Sequence, residues 1–197
     1  MTSEFRLKDI SSLADVQNFD KVESEVVGVE GGKVIVVRVN DEVHALNSRC
    51  THYGAPLKLG VVSPDARITC AWHGACFNVS TGDVEDAPAP SPLNRFDVYE
   101  KDGAVYIRAE PAAIKVGRRD PDVKCAIAGP ANVVVIGGGS GTFGVVQTLR
   151  ELKFNGSITV ISFEPNLPLD RTKLSKAIIQ DPKKIELRPE EWYKAVV

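Results

Sequence analysis

Two short segments hold the residues best suited to chemistry: Cys50-Thr51-His52 and Cys70-Ala71-Trp72-His73. Thiolates and imidazoles are metal donors, and two Cys-His pairs make four ligands. That number suits one zinc held by two Cys and two His, or a [2Fe-2S] cluster with two Cys on one iron and two His on the other. Ligand order separates the two. Short spacers in zinc sites commonly join like ligands, Cys to Cys and His to His. Here each segment supplies one of each, which is the order obtained when each loop is laid across both irons. Tyr53-Gly54-Ala55-Pro56 and Gly74-Ala75 permit tight turns that aim backbone N–H groups at cluster sulfurs. Cys50, His52, Cys70 and His73 are therefore the candidate ligands of a [2Fe-2S] cluster. With those positions filled, Cys76 reads as a small buried apolar residue, Cys125 as an incidental thiol and His44 as a structural histidine in an alternating strand.

A second group of residues lies further along the chain. The apolar run Val133 to Ile136 leads into Gly137-Gly138-Gly139-Ser140-Gly141 and then into a helical stretch. Two registers of a phosphate-binding turn overlap there, Gly137-x-Gly139-x-x-Thr142 and Gly139-x-Gly141-x-x-Gly144. Either brings backbone N–H groups at a helix N-terminus close to a pyrophosphate, which makes Gly137, Gly139, Ser140 and Gly141 candidate contacts. Glu164 ends the next strand and is placed to accept hydrogen bonds from ribose hydroxyls, although it lies further on than the usual ~20 residues. Arg171 and Lys176 bracket a short helix and suit an anionic cofactor.

These residues need elements to position them. Lys33 to Val39, the turn Asn40-Asp41, and Glu42 to Leu46 predict a hairpin; Arg95 to Glu100, Lys101-Asp102-Gly103, and Ala104 to Arg108 predict another. The Cys/His loops lie between these hairpins, together with an extended, proline-rich crossing piece, Asp86 to Pro92. The composition shifts at Glu110-Pro111, and the stretch to Pro130 has Pro, Gly, the basic pair Arg118-Arg119 and no periodicity, as a linker would. Beyond it, Val133–Ile136, a helix from about Thr142 to Leu152, the turn Asn155-Gly156 and Ser157–Ser162 form β-α-β, with a right-handed crossover between parallel strands expected to be buried on both faces. The expected organisation is a β-rich antiparallel domain over 4–109, a linker over 110–130, and the N-terminal part of an α/β nucleotide-binding domain over 131–197.

Composition narrows the function classes. The 197 residues carry 24 Lys+Arg against 26 Asp+Glu, a net charge of -2, which leaves no general basic excess for nucleic acid. The apolar runs are strand-sized, far short of the ~20 residues of a spanning helix, which predicts a soluble protein with no membrane span. No signal peptide is legible, and four Cys are too sparse for a disulfide scaffold. A reducing, cytoplasmic setting follows, with a mitochondrial association left open and the oligomeric state not legible.

The chain resembles the Rieske iron-sulfur family through Cys50-Thr-His-Tyr-Gly-Ala-Pro-Leu57 and Cys70-Ala-Trp-His-Gly-Ala-Cys-Phe77. The resemblance implies an antiparallel β domain with Cys50, His52, Cys70 and His73 as ligands. It also shows departures. Respiratory members carry a disulfide at the positions of Ala55 and Trp72, and Ser and Tyr hydroxyls at those of Ala75 and Phe77. Without those donors the potential is expected near the low end of the Rieske range, roughly -150 mV. Leu167-Pro168-Leu169-Asp170-Arg171-Thr172-Lys173-Leu174-Ser175-Lys176 resembles a segment of the apoptosis-inducing-factor and ferredoxin-reductase flavoproteins, in which the Arg and final Lys face the flavin nucleotide. Together the halves resemble apoptosis-inducing-factor-like Rieske flavoproteins. That implies an oxidoreductase in which NAD(P)H reduces FAD and the flavin passes electrons singly to the cluster, with a flavin domain, a reductase or an electron acceptor as partner. Residues 131–197 hold only the first part of such a flavin domain, so weak or absent FAD binding and incomplete catalysis are expected of this chain. A stand-alone Rieske-type ferredoxin without enzymatic activity is the alternative.

Overall fold

The computed structural model describes residues 2–197. It divides into two compact units, the first reaching Asp120 and the second running Pro121–Val197. The first is built on two antiparallel sheets. One has six strands in the order β1-β10-β9-β4-β3-β2, made of β1 (Ser3–Arg6), β2 (Lys21–Glu25), β3 (Lys33–Val39), β4 (Glu42–Asn47), β9 (Arg95–Lys101) and β10 (Ala104–Ala109). The other has four strands in sequence order: β5 (Val61–Ser63), β6 (Arg67–Thr69), β7 (Cys76–Asn78) and β8 (Val84–Asp86).

Both predicted hairpins form. Asn40 and Asp41 take φ of 51° and 65° between Val39 and its partner Glu42, and Asp102 and Gly103 take 51° and 70° between Lys101 and Ala104. Positive φ at both central residues gives the turn a twist that matches its strands. The unbroken apolar run of β3 is explained by its place between two cores. Val34 and Val36 pack with Leu7, Phe96, Val105 and Ile107, while Ile35, Val37 and Val39 pack with Leu46, Leu57, Ile68 and Phe77 on the other side. Alternate residues of a strand face opposite ways, so a strand covered on both faces is apolar throughout.

The stretch expected as a linker over 110–130 is shared between the units. Pro111–Val116 forms a short helix, α1, entered through Pro111 in the first turn and closed by Gly117 at φ 73°. Its Ile114 is buried in the first core. The Asn94 side-chain amide donates to the carbonyls of Ala113 and Arg118, and Arg119 pairs with Asp83. One apolar anchor and a few side-chain bonds dock a helix too short to show periodicity in sequence. Further on, Val123 packs against the core of the second unit and the N–H groups of Ala128 and Gly129 donate to Asn155 O.

The second unit has β11 (Asn132–Ile136), α2 (Ser140–Glu151), β12 (Ser157–Ile161) and α3 (Glu190–Val196), with β11 and β12 parallel. Val135, Ile158 and Val160 join Val146 of α2 and Val196 of α3 in its core. The buried Arg150 ties it together by donating to the carbonyls of Phe154, Gly156 and Val196. The strands are not buried on both faces as expected: Val134, Ile136 and Ile161 are 58%, 84% and 55% exposed. Among the described residues both helices cover the same face, which leaves the other open.

Candidate metal centre and nucleotide turn

The two Cys/His segments form loops with the same closure. In the first, Cys50 N–H donates to Ala55 O at 2.9 Å and Gly54 N–H to Cys50 O at 2.9 Å; in the second, Cys70 N–H donates to Ala75 O at 2.8 Å and Gly74 N–H to Cys70 O at 3.1 Å. Gly54 and Gly74 take φ of +73° and +75°, and a Cβ on either would meet nothing within 4 Å. Glycine is there for the left-handed backbone, not for lack of space. One frame thus accommodates C-x-H and C-x-x-H alike.

The loops place sulfur inside and imidazole outside. Cys50 and Cys70 are 2% and 3% exposed, in the first unit's core that holds Ile35, Leu57 and Phe77. His52 is half-buried and His73 exposed, their ring centroids 4.8 Å apart. Tyr53 stacks on His52 at 3.8 Å, and the half-exposed Trp72 stands edge-on to His73. Burial pushes the Cys50 thiol up to about 11; backbone N–H groups of His52 and Tyr53 oppose that shift, while the adjacent Cys70 thiol adds to it. Thr51 Oγ1 donates to Ser91 O at 2.6 Å, which fastens the first loop to the proline-rich piece.

This donor set fits a binuclear iron-sulfur cluster. Two neighbouring buried thiols supply the soft pair, two neighbouring imidazoles the other, and backbone N–H groups are directed at sulfur. Among the described residues no three His, Cys, Asp or Glu side chains gather about one ion, and a binuclear cluster asks for two protein donors at each iron. The other candidates lie apart from these contacts. Cys76 is buried and accepts from Thr69 Oγ1 at 3.5 Å, Cys125 lies against Phe154 O, and His44 is 5% exposed within β4 opposite Val37. Ala75 and Phe77 are fully buried beside the loop and bring no hydroxyl.

In the second unit the two glycine registers fall at different places. β11 ends at Ile136 and α2 begins at Ser140 with Gly139 as its N-cap, so Gly137-x-Gly139-x-x-Thr142 spans the junction while Gly141 and Gly144 lie within the helix. Thr142, standing in the last glycine position, is buried and donates from Oγ1 to Gly137 O at 2.6 Å, which ties the turn to the helix. A Cβ on Gly138 would collide with Ser162 Oγ. Glu164 and Arg171 are brought together, with Arg171 Nη2 donating to both carboxylate oxygens at 2.9 Å. Lys176 ends the 3-10 turn Arg171–Ser175 and is exposed. A cavity of about 420 Å³ opens at the C-terminal ends of the strands, lined by Gly138, Val160, Ser162, Leu167, Pro168 and Tyr193 among others. In the sequence Thr142 stands only as the last position of the first register, and Tyr193 beside the turn was missed. The first was legible as the departure from the glycine pattern, whereas the second depends on where α3 packs.

Residues 9–97 match the Rieske [2Fe-2S] domain family, and residues 131–196 match the pyridine nucleotide-disulphide oxidoreductase family. Ferredoxin CarAc of Metapseudomonas resinovorans is 39% identical over 82 residues, which are 42% of this chain and 76% of that protein. Apoptosis-inducing factor 3 of Homo sapiens is 38% identical over 191 residues, which are 94% of this chain and 31% of that protein. Among solved structures, the Sphingomonas yanoikuyae B1 ferredoxin is 27% identical and covers 55% of this chain and 100% of its own, with a TM-score of 0.48. The chain belongs to the Rieske [2Fe-2S] family, and its first unit is a [2Fe-2S] domain. Its particular arrangement is that of the apoptosis-inducing factor 3 proteins, a Rieske domain followed by the start of a Rossmann-like FAD domain, and it spans about a third of their length. It is an oxidoreductase-family protein.

Proposed function

We propose that Cys50 and Cys70 ligate one iron of the [2Fe-2S] cluster, that His52 and His73 ligate the other, and that the chain carries electrons between this centre and a flavin. The matched closure of the two loops carries this reading, because it brings both thiols inward and both imidazoles outward. When bound, the cluster supplies a one-electron couple. Cys50 and Cys70 give up their protons to hold it; Ala55, Leu57 and Ala75 exclude water beneath; His52 and His73 face the side from which a partner approaches. Gly137 N–H is taken by Ile161 O at 2.8 Å, so of the four expected contacts the N–H groups at Gly139, Ser140 and Gly141 would receive the FAD diphosphate, Glu164 the ribose, and Arg171 and Lys176 the nucleotide's charge. The Rieske domain proper is 4–109, with α1 sealing its core. The partner is a flavin domain, a reductase or another electron acceptor, and the setting is the reducing cytoplasm. Reduction of FAD by NAD(P)H is the activity proposed for the longer arrangement. Among the described residues no helix is long and apolar enough to cross a membrane.

The test is the electron paramagnetic resonance spectrum of the dithionite-reduced protein. A Rieske-type signal is expected, lost in Cys50→Ser; a colourless wild type would overturn the reading. Gel filtration after addition of FAD is expected to leave little flavin on the chain, and stoichiometric retention would refute that part. A stand-alone ferredoxin role is supported by one observation: the chain covers 76% of Ferredoxin CarAc with 82 of its own residues.

A further inference from the structure

The two cluster loops share a closure but stand on different supports. The second is the end of a paired ladder: Thr69 faces Cys76 and Ile68 faces Phe77 across β6 and β7. The first rises from the end of β4, and among the described residues its feet meet below Cys50 and Ala55 through the isolated bridge Arg49–Pro56 and the bond from Leu57 N–H to Ser48 O. Both feet carry a cation, Arg49 on the incoming side and Lys58 on the outgoing side. Between them lies Glu23 of β2, the edge strand, which packs on the Leu57–Leu59 turn. Glu23 Oε2 stands 3.1 Å from Lys58 Nζ and Oε1 stands 3.6 Å from Arg49 Nη2. Its side chain is only 7% exposed, against 44% for Arg49 and 49% for Lys58. Oε1 is buried with no hydrogen-bond partner, so the two flanking cations are what balance this charge.

We infer that Glu23 is a positioning residue for the cluster, clamping the feet of the first loop as the β6–β7 ladder clamps those of the second, and offsetting two positive charges next to the centre. A buried carboxylate costs stability unless paired, so removing either partner disturbs the other. Its charge acts on the centre as well: reduction adds an electron, which a nearby negative charge opposes and a nearby positive charge favours.

The inference rests on the ligand assignment above, and the wild-type spectrum tests that assignment separately. Given the wild-type signal, Glu23→Gln is expected to move the midpoint potential positive and Lys58→Met to move it negative, with the double variant returning near the wild type. A purely structural lesion would not reverse sign with the charge removed. Glu23→Gln is also expected to lose its cluster to a chelator several-fold faster. Unchanged potentials, or shifts of one sign in both single variants, would overturn the inference. If Glu23→Gln does not fold, the half-exposed Lys58→Met decides: a negative shift supports the clamp and no shift overturns it.

Discussion

Ala75 and Phe77 lie fully buried at the second cluster loop, at the positions where respiratory members carry hydroxyls. Hydrogen bonds to cluster sulfur stabilise the reduced state, so Ala75→Ser and Phe77→Tyr are each expected to raise the potential above that of the wild type; voltammetry that finds no rise in either would show that these positions do not reach the sulfurs. His44 poses a different question at the same scale. Burial holds it below the ordinary histidine value, Arg95 adds to the effect and Glu42 opposes it. The unfolded chain takes up a proton near pH ~6.5 while the folded one resists, so stability falls as pH drops below that value, until the folded-state pKa is reached. Urea midpoints are expected to decline as the pH is lowered from neutral through the ordinary histidine range, and His44→Gln is expected to flatten the decline. The proposed ligands stand out in sequence because few residue types can bind a metal and their spacing is local. Glu23 was not legible, because its place depends on β2 lying beside a turn far along the chain.

Elements were legible where the pattern is local. The hairpins follow from alternation and from turn residues that accept positive φ. The helix after the glycine turn was expected from about Thr142 and begins at Ser140, since Gly139 can cap it by backbone alone. α1 escaped because a helix anchored by Ile114 alone offers no repeat to detect. Its docking has a test: Ile114→Ala is expected to cost the first unit about 2–5 kcal/mol, measured by urea unfolding, whereas a free linker would lose nothing. The open face of β11 and β12 escaped as well, for the apolar run of Val133 to Ile136 reads the same whether one side is covered or both.

At the scale of the molecule, each unit has its own core, in one case around β3 and in the other around Val146, Ile158 and Val196. Calorimetry is therefore expected to show two transitions. Cluster loading should raise only the one belonging to the first unit, since a ligand stabilises what it binds; a single transition that shifts as a whole would contradict this.

The six-stranded sheet is closed by its own ends: β1 pairs with β10, with Ser3 opposite Ala109. On the ribosome the first strand must wait for the last, which at ~5–20 residues per second takes roughly 5–20 s. Within that interval Cys50 and Cys70 are made before Leu93, the last residue of the core that shelters them. Cluster delivery thus competes with thiol oxidation during synthesis, and expression under iron limitation or oxidative stress should yield apoprotein oxidised at those two cysteines.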